Sequence, residues 1–521
     1  MIILLAVLLS GCNNFNQSLE RYIADHLRED GEEGIPDNIP DDIPGDISGG
    51  ISGGIPDNIP DGMVVYLMAN GGVFYSGLQE AVDAAGGTAA AADTIAVVAD
   101  IDLTAAVSIP GGKHVRLIAG KAARTIRRGS HTGSLITVAV DGSLELGGAL
   151  ALTLDGGGLS AQAALITVAG TLTMSGNAVT LTNNNNNNDP YGYAADAYDT
   201  IGGAVNVSGG MFTMSAGTIT GNTAFYGGGV FMVDGSFILS GAGSISGNDA
   251  MFSGGGVFTE GGSFLMSGGS ISGNRVTDPG DVIGGGVTML EGMFAMSGNS
   301  SVNGNTAVRA GGVYVEKGIF TMRDTATITG NSAGLCGGVF IINTNGSMSG
   351  NSSIKENKAT SNVDGNCGGL TVVGGSFTMN NNAAITRNTA VDSGGGVYVE
   401  DGGTLKMDGS SSITENTAGS NGGGVYVYSG GTFTMKETAT ITGNSAGVNG
   451  GGVYVRSTGK FDKNLNTIIY GTDGASPPSS TPPIPPDAPN TAATGAAVYD
   501  DNKVTAGKAR ETTLGPNDPW S

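Results

Sequence analysis

Gly422-Gly423-Gly424-Val425-Tyr426-Val427, then Thr432-Phe433-Thr434-Met435, then Thr440-Ile441-Thr442-Gly443-Asn444 form one unit of a repeat that runs from about residue 202 to about residue 470. The valine after the glycines recurs at Val205, Val230, Val257, Val287, Val313, Val339, Val397, Val425 and Val453, with Leu370 in the same role. That makes ten copies, 25 to 31 residues apart. Repeats of this length cannot bury an apolar face singly and must stack.

Each unit holds three β-type segments with period-two alternation. Val425 and Val427 share one face, Phe433 and Met435 point inward between outward threonines, and Ile441 points inward between Thr440 and Thr442. Three inward faces per unit predict an all-β fold: a right-handed, single-stranded parallel β-helix. An asparagine follows the inward Ile or Val by three residues at Asn222, Asn248, Asn274, Asn305, Asn331, Asn357, Asn388, Asn416 and Asn444. Asparagine tolerates turn backbone, and stacked copies can bond as a ladder, so these residues read as structural.

The tandem of GGGVYV, FTMS and GNTA elements resembles the bacterial surface β-helix proteins of the polymorphic-membrane-protein type, within the pectin-lyase-like group. Gly202-Gly203-Ala204-Val205 resembles that family's GGA[IV] motif, and Phe377-Thr378-Met379-Asn380 its FxxN motif; most copies read FTMS instead. The resemblance covers about half the chain. It implies a pectin-lyase-like solenoid, and either a surface adhesin or a polysaccharide-active enzyme. An autotransporter of that family would continue into a membrane barrel, a role that a lipid anchor would have to take over in this chain.

The chain has 521 residues, 93 of them glycine, with 13% charged residues and a net charge of −23. The repeat accounts for the glycine. The acidity argues against nucleic acid, whose phosphates need Lys and Arg. His26, His114 and His131 are scattered, so no metal or cofactor is expected. Cys336 and Cys367 each precede the core position by three residues and should stack on adjacent turns, at a spacing of about 4.8 Å that permits a disulfide.

Residues 1–12 are apolar and end in Leu9-Ser10-Gly11-Cys12, which resembles a lipobox; Cys12 would carry lipid and anchor the protein in the cell envelope, at the outer membrane or cell surface. Residues 13–62 read as a disordered acidic, Pro/Gly-rich tether. Residues 63–94 read as an N-terminal cap with a short helix, introduced by a capping box at Ser76-Gly77-Leu78-Gln79. The β-helix spans 95–474, a Pro-rich loop 475–494, and a last turn with a C-terminal tail 495–521.

Four features offer chemistry. The residue between the two valines is aromatic at Phe231, Phe258, Tyr314, Phe340, Tyr398, Tyr426 and Tyr454. This row should face outward, either to stack on sugars or to stabilise the strands. The insertion 183–201 carries Tyr191, Tyr193 and Tyr198 beside Asp189, Asp196 and Asp199, a set suited to a glycan or a cation. With insertions at 275–283 and 358–367 it should project from one edge of the rod. Residues 113–131 hold Lys113, Arg116, Lys121, Arg124, Arg127 and Arg128, either a contact for anionic lipid or glycan or a solvated face. Outward Thr-x-Thr and Ser-x-Ser pairs, such as Thr218/Thr220 and Thr440/Thr442, resemble ice-binding arrays or are plain strand faces. Glu260, Glu316 and Glu400 repeat as edge decoration, with Glu291 and Asp234 one residue later, and do not form the paired carboxylates of a glycosidase. The expected function is therefore binding, to a glycan or to a host or matrix surface. A polysaccharide lyase or glycoside hydrolase is the alternative.

Overall fold

The computed structural model describes residues 54–521 except 159–160, 162, 187–200, 279–282, 363–364, 457, 464–467, 474–489, 493–497, 501–509, 512 and 515–521. The chain is a parallel β-solenoid of about 12 turns. Successive turns pair in register, with Val397 beside Val425 and Val425 beside Val453. Among the described residues antiparallel pairing occurs only at the two ends. Val65–Leu67 lies between Val73–Tyr75 and Asp93–Val97 at the start, and Arg510–Glu511 and Thr513–Leu514 pair this way at the close.

A full turn carries four strands rather than the three that alternation suggests. In one turn they are Val425–Val427, Thr432–Met435, Thr440–Thr442 and Ser445–Ala446. The fourth is only two residues long, too short for a period-two signal. It exists because Gly443, at φ 67°, swings the chain inward so that Asn444 enters the coil and Ser445 re-emerges to pair with Thr417.

The interior is built as the alternation requires. Val425, Val427, Phe433, Met435 and Ile441 are fully buried, and the same positions are buried turn after turn. The phenylalanines stack face to face: Phe212–Phe237 at 4.7 Å, Phe237–Phe264 at 4.7 Å and Phe264–Phe294 at 4.8 Å. Gly346 occupies the phenylalanine position of its own turn. A Cβ there would lie 2.5 Å from the Phe377 ring, so the glycine makes room for the ring one turn on.

The asparagines enter the coil as one hydrogen-bonded column. Asn331 shows the pattern. Its Oδ1 accepts from the backbone N–H of Asn305 at 2.9 Å and from Asn305 Nδ2 at 3.0 Å, while its Nδ2 donates to Val302 O at 3.1 Å and to Asn357 Oδ1 at 3.0 Å. The column extends one member beyond the repeat at each end. Asn184 N–H donates to Asn222 Oδ1 at 3.1 Å, and Asn444 Nδ2 donates to Asn490 Oδ1 at 2.8 Å. Asn490–Ala492 is therefore a strand of the coil, paired beside Gly471–Asp473, and not the end of a Pro-rich loop reaching 494.

Two boundaries at the start also move. Ile55 and Ile59 pack against Tyr66, Ala96 and Val98, and Lys121 Nζ bonds Asp57 at 2.8 Å, so the last residues of the expected tether lie on the first turns. The helix Leu78–Ala84 buries Leu78, Ala81 and Val82 against the core. The expected capping box does not form. Gly77 is the N-cap residue, without a side-chain bond, and Ser76 Oγ bonds the Glu80 carboxylate at 3.2 Å. Gln79 instead pairs with the backbone of Ser108, accepting from its N–H at 2.7 Å and donating to its carbonyl at 3.1 Å. A side-chain amide thus satisfies an open strand edge, which is a stronger demand than an exposed helix start.

Candidate functional site

The fourth strands form a ladder in which Asn186 stacks on Ala224, Ala224 on Ala250 and Ala250 on Val276, and further along Ala333 stacks on Ala359. The insertion 187–200 leaves after Asn186, the second after Val276 and the third after Ala359. Their return points share a column too: Ile201 bridges to Tyr226, Ser253 to Ile283 and Cys336 to Cys367. The described ends of the three insertions thus lie at equivalent positions along one edge of the coil. Tyr191, Tyr193, Tyr198, Asp189, Asp196 and Asp199 lie outside the described residues.

Between the ends of the first two insertions the coil carries an aromatic corner. Phe225 and Phe252 stack at 5.7 Å with 6° between their planes, and Phe252 is 38% exposed. Tyr226 meets both edge-on, at 4.9 and 5.4 Å, and lies 4.9 Å from Phe258. Burial, followed by the charge of Glu260, pushes the Tyr226 hydroxyl up to about 12. Burial and the neighbouring Asp234 likewise push the Glu260 carboxyl above its usual range. Glu260 therefore holds its proton more readily than an ordinary glutamate. The residues Phe225 and Phe252 escaped sequence reading. Their signal is the aromatic after Thr223-Ala224 and the Met251-Phe252 pair after Asp249-Ala250, where later turns carry glycine, valine or threonine.

The aromatic row is not a sugar platform. Phe231, Phe258, Tyr314, Phe340, Tyr398, Tyr426 and Tyr454 do lie on the outer side of their strands, yet all are buried. They form a second apolar spine beside the core. The preceding corner folds over them, with Ala310, Cys336 and Cys367 in contact along the middle turns, Ile201 nearer the start, and Leu290 joining both groups. Some of the rings also face one another, Phe231 and Phe258 at 5.3 Å and 8°, while Tyr398 meets Tyr426 edge-on at 5.0 Å.

Most of the basic stretch is likewise paired within the structure. Lys113 Nζ donates to the carbonyls of Asp83 and Ala85 at the end of the helix, where a cation is favoured. Arg116 pairs with Glu145 at 3.1 Å, and Arg127 lies 3.4 Å from Asp155 and 3.6 Å from Asp102. Arg128 is buried, and burial pulls its guanidinium below the usual value.

Cys336 and Cys367 pair across adjacent turns as free, fully buried thiols, donating at 3.1 Å to Val339 O and Leu370 O respectively. Burial pushes the Cys367 thiol well up, so it stays protonated. Of the edge carboxylates, Glu316 accepts from the Tyr314 hydroxyl at 3.2 Å. Glu400 is raised by burial and by Asp401, against a lowering bond from Tyr398. The hydroxyl pairs of the third strands stack in register, Thr218 on Ser244 on Ser270 and Thr220 on Ser246 on Ser272. Among the described residues no three His, Cys, Asp or Glu side chains converge on a metal position. Comparison of the chain with protein-family models, with characterised proteins and with solved structures found no significant match.

Proposed function

We propose that this chain is a lipid-anchored cell-envelope rod that acts by binding, as an adhesin-like or structural surface protein. In this reading the coil is right-handed, as in the polymorphic-membrane-protein and pectin-lyase-like proteins it resembles, and the helix Leu78–Ala84 caps its first turn. Acylated Cys12 holds the chain to the outer membrane or cell surface. The observation that carries the reading is the common register of the three insertions, with the Phe225–Phe252 stack and the Tyr226–Glu260 pair between the ends of the first two. A rigid solenoid with its variable segments on one edge suits recognition of an extended surface such as a glycan or host matrix.

Deletion of residues 188–199 tests the site. The cut begins after Asn187 and keeps Asn186, whose Nδ2 bonds the Ile201 carbonyl at 3.2 Å, so the coil is left whole. The folded deletion variant should lose attachment to cells or matrix; unchanged attachment refutes the assignment. Cys12→Ala should move the protein from the membrane to the soluble fraction, and persistence in the membrane refutes the anchor. The alternative, a carbohydrate-active enzyme, is favoured by one residue, Glu260, whose raised carboxyl suits a general acid. Release of soluble sugar from a polysaccharide panel, abolished by Glu260→Gln, would decide for that reading.

A further inference from the structure

The second strand of each turn points two side chains outward, and across five consecutive turns one of them is Met211, Ile238, Leu265, Met293 or Ile319. Register places Ile238 on Leu265 in one column, and Met293 on Ile319 in the column beside it. Met211 is 42% exposed and the others half-buried, which for an outward position on a sheet means that no part of the described chain covers them. The companion outward residue in each of these turns is a serine, a threonine or an alanine. Beside this strip, the third strands add the outward hydroxyl and amide rows from Thr180/Thr182 to Ser301/Asn303.

Over its first four turns this surface lacks charge; in the fifth, Arg323 and Asp324 directly follow the strand Ile319–Met322. The stretches 211–222, 236–248, 263–274 and 293–305 contain no Asp, Glu, Lys or Arg, in a chain whose net charge is −23. The charges of the same turns, among them Asp234, Asp249, Glu260 and Arg275, lie on the other strands and corners. Along those four turns a partner that carries charge would find nothing to pair with. Anionic lipid, nucleic acid and acidic glycans need cations, and a metal ion needs carboxylates. Size excludes a folded partner. Five turns at about 4.8 Å, by two outward residues about 7 Å apart, give a strip of roughly 170 Å², far below the ~800 Å² per partner of a stable protein interface.

We infer that this strip is a binding surface for a neutral, extended polysaccharide lying along the rod. A pyranose ring presents C–H faces and a rim of hydroxyls, and the strip offers apolar side chains flanked by hydroxyls at a regular axial repeat. The inference rests on the reading that the rod acts by binding, and it names the ligand class and a second contact surface beyond the insertion edge.

The test is depletion of the full chain from solution by insoluble cellulose, chitin and β-1,3-glucan, with a polygalacturonate gel as the anionic comparison. Retention by at least one neutral matrix is expected, insensitive to 1 M salt and absent on polygalacturonate. Ile238→Lys and Leu265→Lys should each weaken it by tenfold or more while the thermal midpoint stays within a few degrees, because both side chains point outward. No retention on any neutral matrix, or equal retention by the lysine variants, overturns the inference. A concentration-dependent dimer dissociated by Leu265→Lys also overturns it, assigning the strip to a second copy of the chain. If the protein attaches to cells but to no neutral matrix, this inference alone falls; if it attaches to neither, the binding function falls with it.

Discussion

Arg128 Nη2 donates to Asn184 Oδ1 across 2.8 Å and so closes the N-terminal end of the asparagine column with a buried guanidinium. Along the column each Oδ1 takes its hydrogens from the asparagine one turn earlier. Asn184 has no such neighbour, since in the preceding turn Leu154 is followed three residues later by Gly157. Arg128 supplies the missing donor. Arg128→Met should therefore leave a buried acceptor unpaired and destabilise the first turns by about 1–3 kcal/mol. Denaturant unfolding, with faster hydrogen exchange at Asn184 and Asn222, would show it; unchanged exchange there would refute the role.

The middle of the column should be more sensitive still. Asn331→Ala removes the acceptor of two Asn305 donors and a donor to both Val302 O and Asn357 Oδ1. We expect a loss of at least about 2 kcal/mol, against less than about 0.5 kcal/mol for Asn303→Ala on the outer face of the preceding turn. Comparable midpoints for the two variants would contradict the column's role.

Because the aromatic row is buried, its truncation should act on stability and not on recognition. Phe340→Ala, in the part of the row away from the Phe225–Phe252 corner, should cost about 3–5 kcal/mol, with attachment per folded molecule unchanged. A stable variant with impaired attachment would return the row to the binding surface.

Glu260 gives a pH signature. Its folded-state carboxyl is raised by burial and by Asp234. The folded state therefore binds the proton more tightly than the unfolded chain, and the associated stability is present below the unfolded carboxylate value of about 4.3 and is lost as pH rises through the raised value. Glu260→Gln removes the titration. The variant should be more stable than wild type at pH 7 and about equal at pH 3, by thermal midpoint. A constant difference at both pH values would show that burial of this carboxyl is not the cause.

Much of the molecule was legible because the repeat forces like residues into register. Val425, Phe433 and Ile441 could be placed inward from alternation alone, the asparagine column follows from a constant spacing of three residues, and the equivalent positions where the insertions leave and rejoin follow from where repeat length varies. The fourth strand was not legible, because Ser445–Ala446 is two residues long and is created by the inward swing at Gly443.

The candidate site was read less well, for one reason. Period-two alternation tells which side of a strand a residue takes; it does not tell what lies over that side. Tyr398 and Tyr426 were placed outward correctly, yet the corner formed by Cys336, Cys367 and their neighbours folds across the row and buries it. Phe252, within the strand Asp249–Ser253, carried no pattern of its own and became visible only where Phe225 stacks on it from the turn before. Arg128 and Lys113 read as surface charge until the coil brought Asn184 and the helix end to them across 56 and 30 residues. The sequence by itself determined the coil, its inward faces and the column that threads it, since those depend on local period and on copies repeating it. Only the tertiary structure decided which outward residues meet solvent, because that depends on what the corners and neighbouring turns lay over them.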